Sequence, residues 1–281
     1  MGEFETYIGR SRVSHDIMDP WKASALAAVL GRVGSFATND PLPMLWQWAF
    51  FLPVVSQEQT GPDGHPRRGD FLPPISMRRR MFAGGKTRMH TPLKLGLPAQ
   101  RRETIERIEE KRGSSGPMVL VTVSHSFEQE GVVCLEEEQS YIYLDPQPSA
   151  KTQNVEQPIP DATLSGSFKA DAVTLFRFSA LTFNGHRIHY DRPYATGEEG
   201  YPDLVVHGPL TAMMLSGLAE AGKIALSSFS FRAQKPLFCD KPVALRGAPA
   251  ENGAISLTAF DEAGAVAMTA EATSSHKDMQ Q

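Results

Sequence analysis

The chain has 281 residues, 41% of them hydrophobic, and a formal charge of −4 at neutral pH. This composition supports one large or two ordinary globular domains, and the near-balanced charge argues against a nucleic-acid partner. Its 2 cysteines, Cys134 and Cys239, stand far apart without metal-ligand spacing, and no apolar run reaches the length of a membrane span, so a disulfide framework, a metal site and a membrane partner are not expected.

No basic segment followed by an apolar one opens the sequence, and the cytoplasm is the expected location. Residues 4–13 alternate loosely and read as a short strand or a lead-in. Asp19-Pro20 then signals a helix over residues 21–30, with Asp as N-cap, Pro in the first turn and Gly31 as the stop. After a break at residues 39–43 comes an aromatic block, residues 44–51, which holds Trp46, Trp48, Phe50 and Phe51. It reads as core or subunit interface, or else as a wall of a ligand pocket. Residues 61–70 are a loop by composition. The triplet Arg78-Arg79-Arg80, close to Gly84-Gly85, reads as a solvated strand face or as a place to meet a phosphate or carboxylate.

Residues 101–112 lean to strand. Residues 118–125 and 136–144 are β-branched and aromatic strand runs, and Gly131 marks the turn between them. The first half therefore ends in an antiparallel meander, with His125 as a surface or packing residue at a strand end. Residues 146–161 carry Pro, Gln and Ser and little apolar character; they read as a linker between a domain of residues 1–145 and one of residues 162–281. The second half runs strand (162–170), helix (172–182), a histidine-bearing loop, a helix from Gly208, and strands near residues 225–233, 242–247, 254–260 and 266–272. The first half follows the same coarse order, so a duplicated α+β architecture is expected.

The clearest helix starts at His207-Gly208-Pro209-Leu210 and stops at Gly222. Apolar residues occupy nearly every face, so it is expected to be enclosed by a sheet. Its first-turn N–H groups lack helical partners and carry the positive end of the dipole, which suits a developing oxyanion. Gly208 lets a ligand approach without a Cβ in the way. Upstream, Asn184-Gly185-His186-Arg187-Ile188-His189 puts two imidazoles and an amide on one short loop. An imidazole can serve as acid or base near neutral pH, and an amide can position water. A loop histidine bonded to backbone is the alternative for each.

The run of residues 184–189, followed by Tyr190-Asp191-Arg192-Pro193-Tyr194-Ala195, resembles the motif of the MaoC-like (R)-specific enoyl-CoA hydratases. Arg79-Arg80-Met81-Phe82-Ala83-Gly84-Gly85 and residues 179–191 resemble one branch in particular, which holds itaconyl-CoA and mesaconyl-C4-CoA hydratases and mitochondrial-type 3-hydroxyacyl-thioester dehydratases. The resemblance implies a double hotdog fold, two antiparallel sheets each around a central helix and joined into one long sheet. It implies a hydro-lyase acting on an acyl-CoA, with CoA as part of the substrate and no other cofactor. His189 matches the catalytic His. Asn184 stands where the motif has a catalytic Asp, so His189 is expected to carry the proton transfers while Asn184 holds water. Gly208 matches the glycine whose N–H binds the thioester oxygen, and Ser216 matches the serine of that helix.

Three readings follow. The first is a hydratase of a short branched dicarboxylic enoyl-CoA giving citramalyl-CoA. The free carboxylate of that substrate needs a cation, and Arg79, Arg80, Arg187 and Arg192 are candidates. The second is a 3-hydroxyacyl-CoA or acyl-carrier dehydratase, with Trp46 and Trp48 as tunnel wall. The third is a non-catalytic acyl-CoA-binding hotdog. His186 and His207 are further binding candidates. One active site per chain is expected, because no histidine motif appears in the first half, and joined sheets make a homo-oligomer plausible.

Overall fold

The computed structural model describes residues 3–113, 116–145, 157–222, 224–250 and 253–274. Strands β1 (Ser11–Ile17), β2 (Arg79–Met89), β3 (Pro98–Gly113), β4 (Gly116–Gln129) and β5 (Val132–Leu144) belong to the first half. Strands β6 (Leu164–Lys169), β7 (Leu226–Ala233), β8 (Pro242–Pro249), β9 (Ile255–Phe260) and β10 (Val266–Ser274) belong to the second. They form one antiparallel sheet ordered β1-β3-β4-β5-β2-β7-β10-β9-β8-β6. Counted from the centre, each half contributes its second, fifth, fourth, third and first strand. The coarse repeat in the sequence is therefore a repeat of topology, and the fold is a double hotdog.

The halves meet where β2 pairs antiparallel with β7, from Gly84 opposite Arg232 to Arg88 opposite Ser228. β2 is also paired with β5, and its register shifts between Phe82 and Gly84. The Gly84-Gly85 pair belongs to this joint and is not a phosphate cradle. A Cβ on Gly84 would sit 2.5 Å from the Phe231 carbonyl oxygen, and one on Gly85 would sit 3.0 Å from that of Glu138.

Helix α1 (Pro20–Val29) starts as expected, with the Asp19 carboxylate accepting from the Trp21 N–H. Helix α2 (Ala172–Thr182) is capped by Asp171, which accepts from Thr174 N–H at 2.8 Å. Helix α4 (Gly208–Ala221) packs against β6 to β10; Leu210, Ala212, Met213 and Leu215 are all 1% exposed or less. Among the described residues, the strands of the first half enclose no such helix. The block at residues 44–51 takes that place with one short 3-10 turn, Trp46–Ala49, and Met44, Leu45, Trp46, Phe50 and Phe51 join the same core cluster as α4.

Three local expectations shift. Residues 4–13 are not one strand: a 3-10 turn, Glu5–Tyr7, precedes β1, whose position is fixed by pairing Ser11 with Thr104 and Ile17 with Pro98. Within the histidine-bearing region, Asp191 caps a further short helix, α3 (Arg192–Gly197). His125 lies in β4 rather than at its end and is buried, with Nδ1 3.6 Å from the Glu103 carboxylate. The expected linker falls between β5 and β6, and its residues 146–156 lie outside the described residues. No helix among the described residues is long and apolar enough to cross a membrane.

Candidate active site

The N-terminus of α4 opens into a cavity of about 790 Å³ at the joint of the two halves. His189, His186, Asn184, Gly208, Arg79, Arg80 and Trp48 all line it. The loop that carries the histidines is held from several sides. Phe183 ends α2 in a left-handed conformation, Asn184 N–H returns to the Ser179 carbonyl at 2.9 Å, and the Tyr190 hydroxyl donates to the Gly185 carbonyl at 2.9 Å.

His189 is buried, and its Nδ1 lies 2.7 Å from the Val205 carbonyl oxygen. A carbonyl can only accept, so Nδ1 carries the hydrogen and Nε2 keeps a lone pair. Burial pushes the imidazole down to about 4, with only the Val205 bond opposing it, so it is neutral at pH 7. Its ring stacks on that of His207, centroids 3.6 Å apart. His207 is fully buried as the residue before α4, its Nε2 is 2.9 Å from Ser179 Oγ, and it does not line the cavity. It therefore supports His189 from behind and does not reach a ligand.

At Gly208, no protein atom comes closer than 3.9 Å to where a Cβ would be, so the protein itself does not demand glycine there. Asn184 uses its side-chain oxygen to accept from the His186 N–H at 3.0 Å, an Asx-type turn that leaves its NH2 for a ligand or water. Ser216 is buried away from the cavity, and its Oγ has no hydrogen-bond partner among the described residues. Trp46 is also away from it, 1% exposed against Phe36, whereas Trp48 lines it and donates its indole N–H to Glu137 at 2.6 Å.

The arginine candidates separate by their partners. Arg79 pairs with Glu199 at 3.2 Å. Arg187 pairs with Asp191 at 2.7 Å and reaches the Pro62 carbonyl, and Arg192 pairs with Asp203 at 2.7 Å on the surface. Arg80 makes no ion pair among the described residues. Its charge is felt at His65, His186 and Tyr141, three groups around the cavity.

The sequence reading missed a contribution from the first half. Asp63 and His65, on the loop of residues 61–70, also line the cavity. The His65 ring lies 4.1 Å from that of His186, and its Nδ1 lies 3.1 Å from the Asp63 carboxylate. Asp63 is held well below the usual carboxylate range, because the His65 contacts outweigh the opposing cost of burial. Burial pushes His65 down to about 4, with Arg80 adding to the effect. Asp63, His65 and His186 bring one ligand atom each within 4.8 Å of one another, close enough to grip a cation, but the Arg80 charge opposes one there. The only local signal for this loop was its Asp-Gly-His spacing.

Residues 45–239 match the family model described as hydroxyacyl-thioester dehydratase type 2. The chain belongs to this family. It is 46% identical to the mesaconyl-C(4)-CoA hydratase of Chloroflexus aurantiacus over 95% of this chain and 96% of that protein. The mitochondrial hydroxyacyl-thioester dehydratase type 2 of Schizosaccharomyces pombe is 27% identical over 70% of this chain and 75% of its own length. Among solved structures, HtdX of Mycobacterium tuberculosis superposes with a TM-score of 0.71 at 21% identity, covering 95% of this chain and 100% of the other, which supports the fold. The chain is thus an enzyme of hydratase and dehydratase type, and the non-catalytic binding module falls away. As in other MaoC-like hotdogs, the substrate class expected of this family is an acyl thioester.

Proposed function

We propose that this member of the family hydrates a short, branched, dicarboxylic enoyl-CoA, mesaconyl-C4-CoA or itaconyl-CoA, to citramalyl-CoA. The observation that carries the reading is Arg80, a half-buried guanidinium beside the cavity imidazoles with no ion pair among the described residues. A buried cation without a counterion is costly, and a substrate carboxylate removes that cost. Gln47, Glu103, His125, Gln139 and Arg101 also line the cavity, which supports a polar acyl group. The resemblance to the Chloroflexus hydratase points the same way.

In this reading His189 Nε2 takes a proton from water as the hydroxyl adds to the β-carbon. Charge moves to the thioester oxygen, which accepts from the Gly208 N–H at the positive end of α4. A proton then reaches the α-carbon; for itaconyl-CoA the double bond must first move into the α,β position of mesaconyl-C4-CoA. Asn184 holds the water through its NH2 group. The role of Ser216 is indirect, through α4, and the chemistry calls for no cofactor beyond the CoA of the substrate.

The test follows loss of enoyl-thioester absorbance with mesaconyl-C4-CoA, itaconyl-CoA and crotonyl-CoA, for wild type and His189→Ala. Hydration of a dicarboxylic substrate that falls at least a thousandfold in the variant is expected. Turnover of crotonyl-CoA alone would instead support a 3-hydroxyacyl-thioester dehydratase, the activity for which the fission-yeast relative is named. We extend the proposal to a homo-oligomer, because Val173, Phe176 and Phe183, at 62%, 63% and 54% exposure, form an apolar stripe along and just past α2. Light scattering should give a dimer or larger that Phe176→Glu weakens; a monomeric wild type rejects it.

A further inference from the structure

Asn184 leaves the histidine loop without the carboxylate that a proton-transfer pair needs. A carboxylate is nevertheless present in the cavity, on the other half of the chain. The loop of residues 61–70 is pinned against the histidine loop: Arg187 N–H donates to the Asp63 carbonyl at 2.9 Å, and the Arg187 guanidinium reaches the Pro62 carbonyl at 3.0 Å. Gly64 and Gly185 pack so closely that a Cβ on Gly64 would fall 1.8 Å from the Gly185 carbonyl oxygen. The His65 ring lies 4.1 Å from that of His186, and His186 meets His189 edge-on with centroids 5.5 Å apart. Three imidazoles thus line one cavity, and the carboxylate stands beside His65 and His186.

The hydrogen bonds distinguish the two imidazoles. At His189, Nδ1–H is used on a neutral carbonyl, which brings no counter-charge to an imidazolium. At His65, Nδ1 faces the Asp63 carboxylate at 3.1 Å, so a proton added at Nε2 gains a counterion. His65 lines the cavity and its Nδ1 is engaged by Asp63, which leaves Nε2 as the nitrogen available for proton transfer.

We propose that Asp63 and His65 form the second proton-transfer unit of this site, supplying from the first half the carboxylate that Asn184 lacks. The proposal rests on the hydration reading above. The step balances with all imidazoles neutral at the start. His189 takes a proton from water while the oxygen bonds to the β-carbon and the π electrons move to the thioester oxygen. That proton crosses the cavity through water to His65, where the Asp63 carboxylate holds the imidazolium. His65 then delivers it to the α-carbon as the enolate collapses to the thioester, and every imidazole is neutral again.

The test is steady-state kinetics of the full chain with mesaconyl-C4-CoA for wild type, His65→Ala and Asp63→Asn, with melting curves for each and with added imidazole and its methylated analogues. The expected result for His65→Ala is a loss of at least a hundredfold in kcat with KM within threefold, partly restored by the added imidazoles in an order that follows their basicity. Asp63→Asn, which removes the charge and can keep one of the two hydrogen bonds to His65, should lose at least tenfold in kcat. A kcat within threefold of wild type in either variant overturns the proposal. So does a loss in a folded His65→Ala that no imidazole restores. If His65→Ala does not fold, Asp63→Asn decides. A wild type that turns over none of the enoyl-CoA substrates refutes the hydration reading itself and takes this proposal with it; a wild type that turns over, with variants that match it, refutes only this proposal.

Discussion

Burial sets what each histidine can do, and it does so in a way that can be measured. His189, His65 and His125 are each pushed down to about 4, in every case chiefly by desolvation. All three are neutral in the folded protein at pH 7, whereas in the unfolded chain each takes up a proton near pH 6.5. The unfolded state therefore binds more protons than the folded one between about pH 6.5 and 4, and stability falls as pH falls through that window. Urea midpoints at pH 7.5 and pH 5 should differ, with the lower one at pH 5; equal midpoints would contradict the burial argument. The same shift keeps Nε2 of His189 unprotonated in mildly acidic solution, so the acidic limb of kcat/KM should lie well below 6.5. Arg80 gives a second prediction at this scale. Charge-assisted hydrogen bonds are worth roughly 1.5–3 kcal/mol, so Arg80→Gln should cost about ten- to hundredfold in kcat/KM with a dicarboxylic substrate and leave any crotonyl-CoA turnover nearly unchanged. Equal losses on both substrates would mean that Arg80 shapes the cavity without meeting a carboxylate. Its distinction from Arg79 and Arg192 was not legible in the sequence, since their partners Glu199 and Asp203 come from folding. Arg187 was likewise among the expected cations, although its partner Asp191 stands only four residues away.

Among the elements, those announced by local signals could be read directly. Asp19-Pro20 and Asp171 mark helix starts through their own side chains, and α4 stood out by its Gly-Pro opening and apolar surround. β2 was legible only in part, because Arg78-Arg79-Arg80 reads as a strand face as well as a binding motif, and nothing local places that strand at the centre of a sheet. Its strand character comes from being paired on both sides, with β5 and with β7, and the glycines are there because neighbouring backbones come close. Gly84→Val tests this. The added side chain would begin 2.5 Å from the Phe231 carbonyl oxygen, and backbone cannot move aside as a side chain can. Overpacking of this kind costs roughly 1–3 kcal/mol, about 2–4 °C in Tm per kcal/mol for a chain of similar size. A calorimetric scan should show the drop. An unchanged Tm would mean that β2 and β7 separate more easily than the pairing suggests.

At the level of the whole molecule, the two halves share a topology but not a task. The second half has the long helix and the histidine loop, both readable from sequence because their residues lie close together in it. The first half fills the equivalent volume with residues 44–51 and sends Asp63 and His65 into the cavity of the other half. No local pattern links His65 to His186, more than a hundred residues away, so the absence of a histidine motif from the first half hid its contribution to the cavity. The contact depends on two glycines. Gly64 has φ +88°, a left-handed conformation that costs other residues about 1 kcal/mol or more. A Cβ there would also overlap the Gly185 carbonyl, so an alanine must push the two loops apart. The rest of the sheet does not depend on this contact: β2 and β7 pair elsewhere, and the core cluster contains neither loop tip. Gly64→Ala should therefore unfold cooperatively within a few degrees of wild type yet lose at least tenfold in kcat/KM, because His65 and His186 no longer face each other. If activity instead survives at the wild-type level while the melting curve confirms a folded protein, the catalytic site closes without the first half, and the second half alone holds what the chemistry needs.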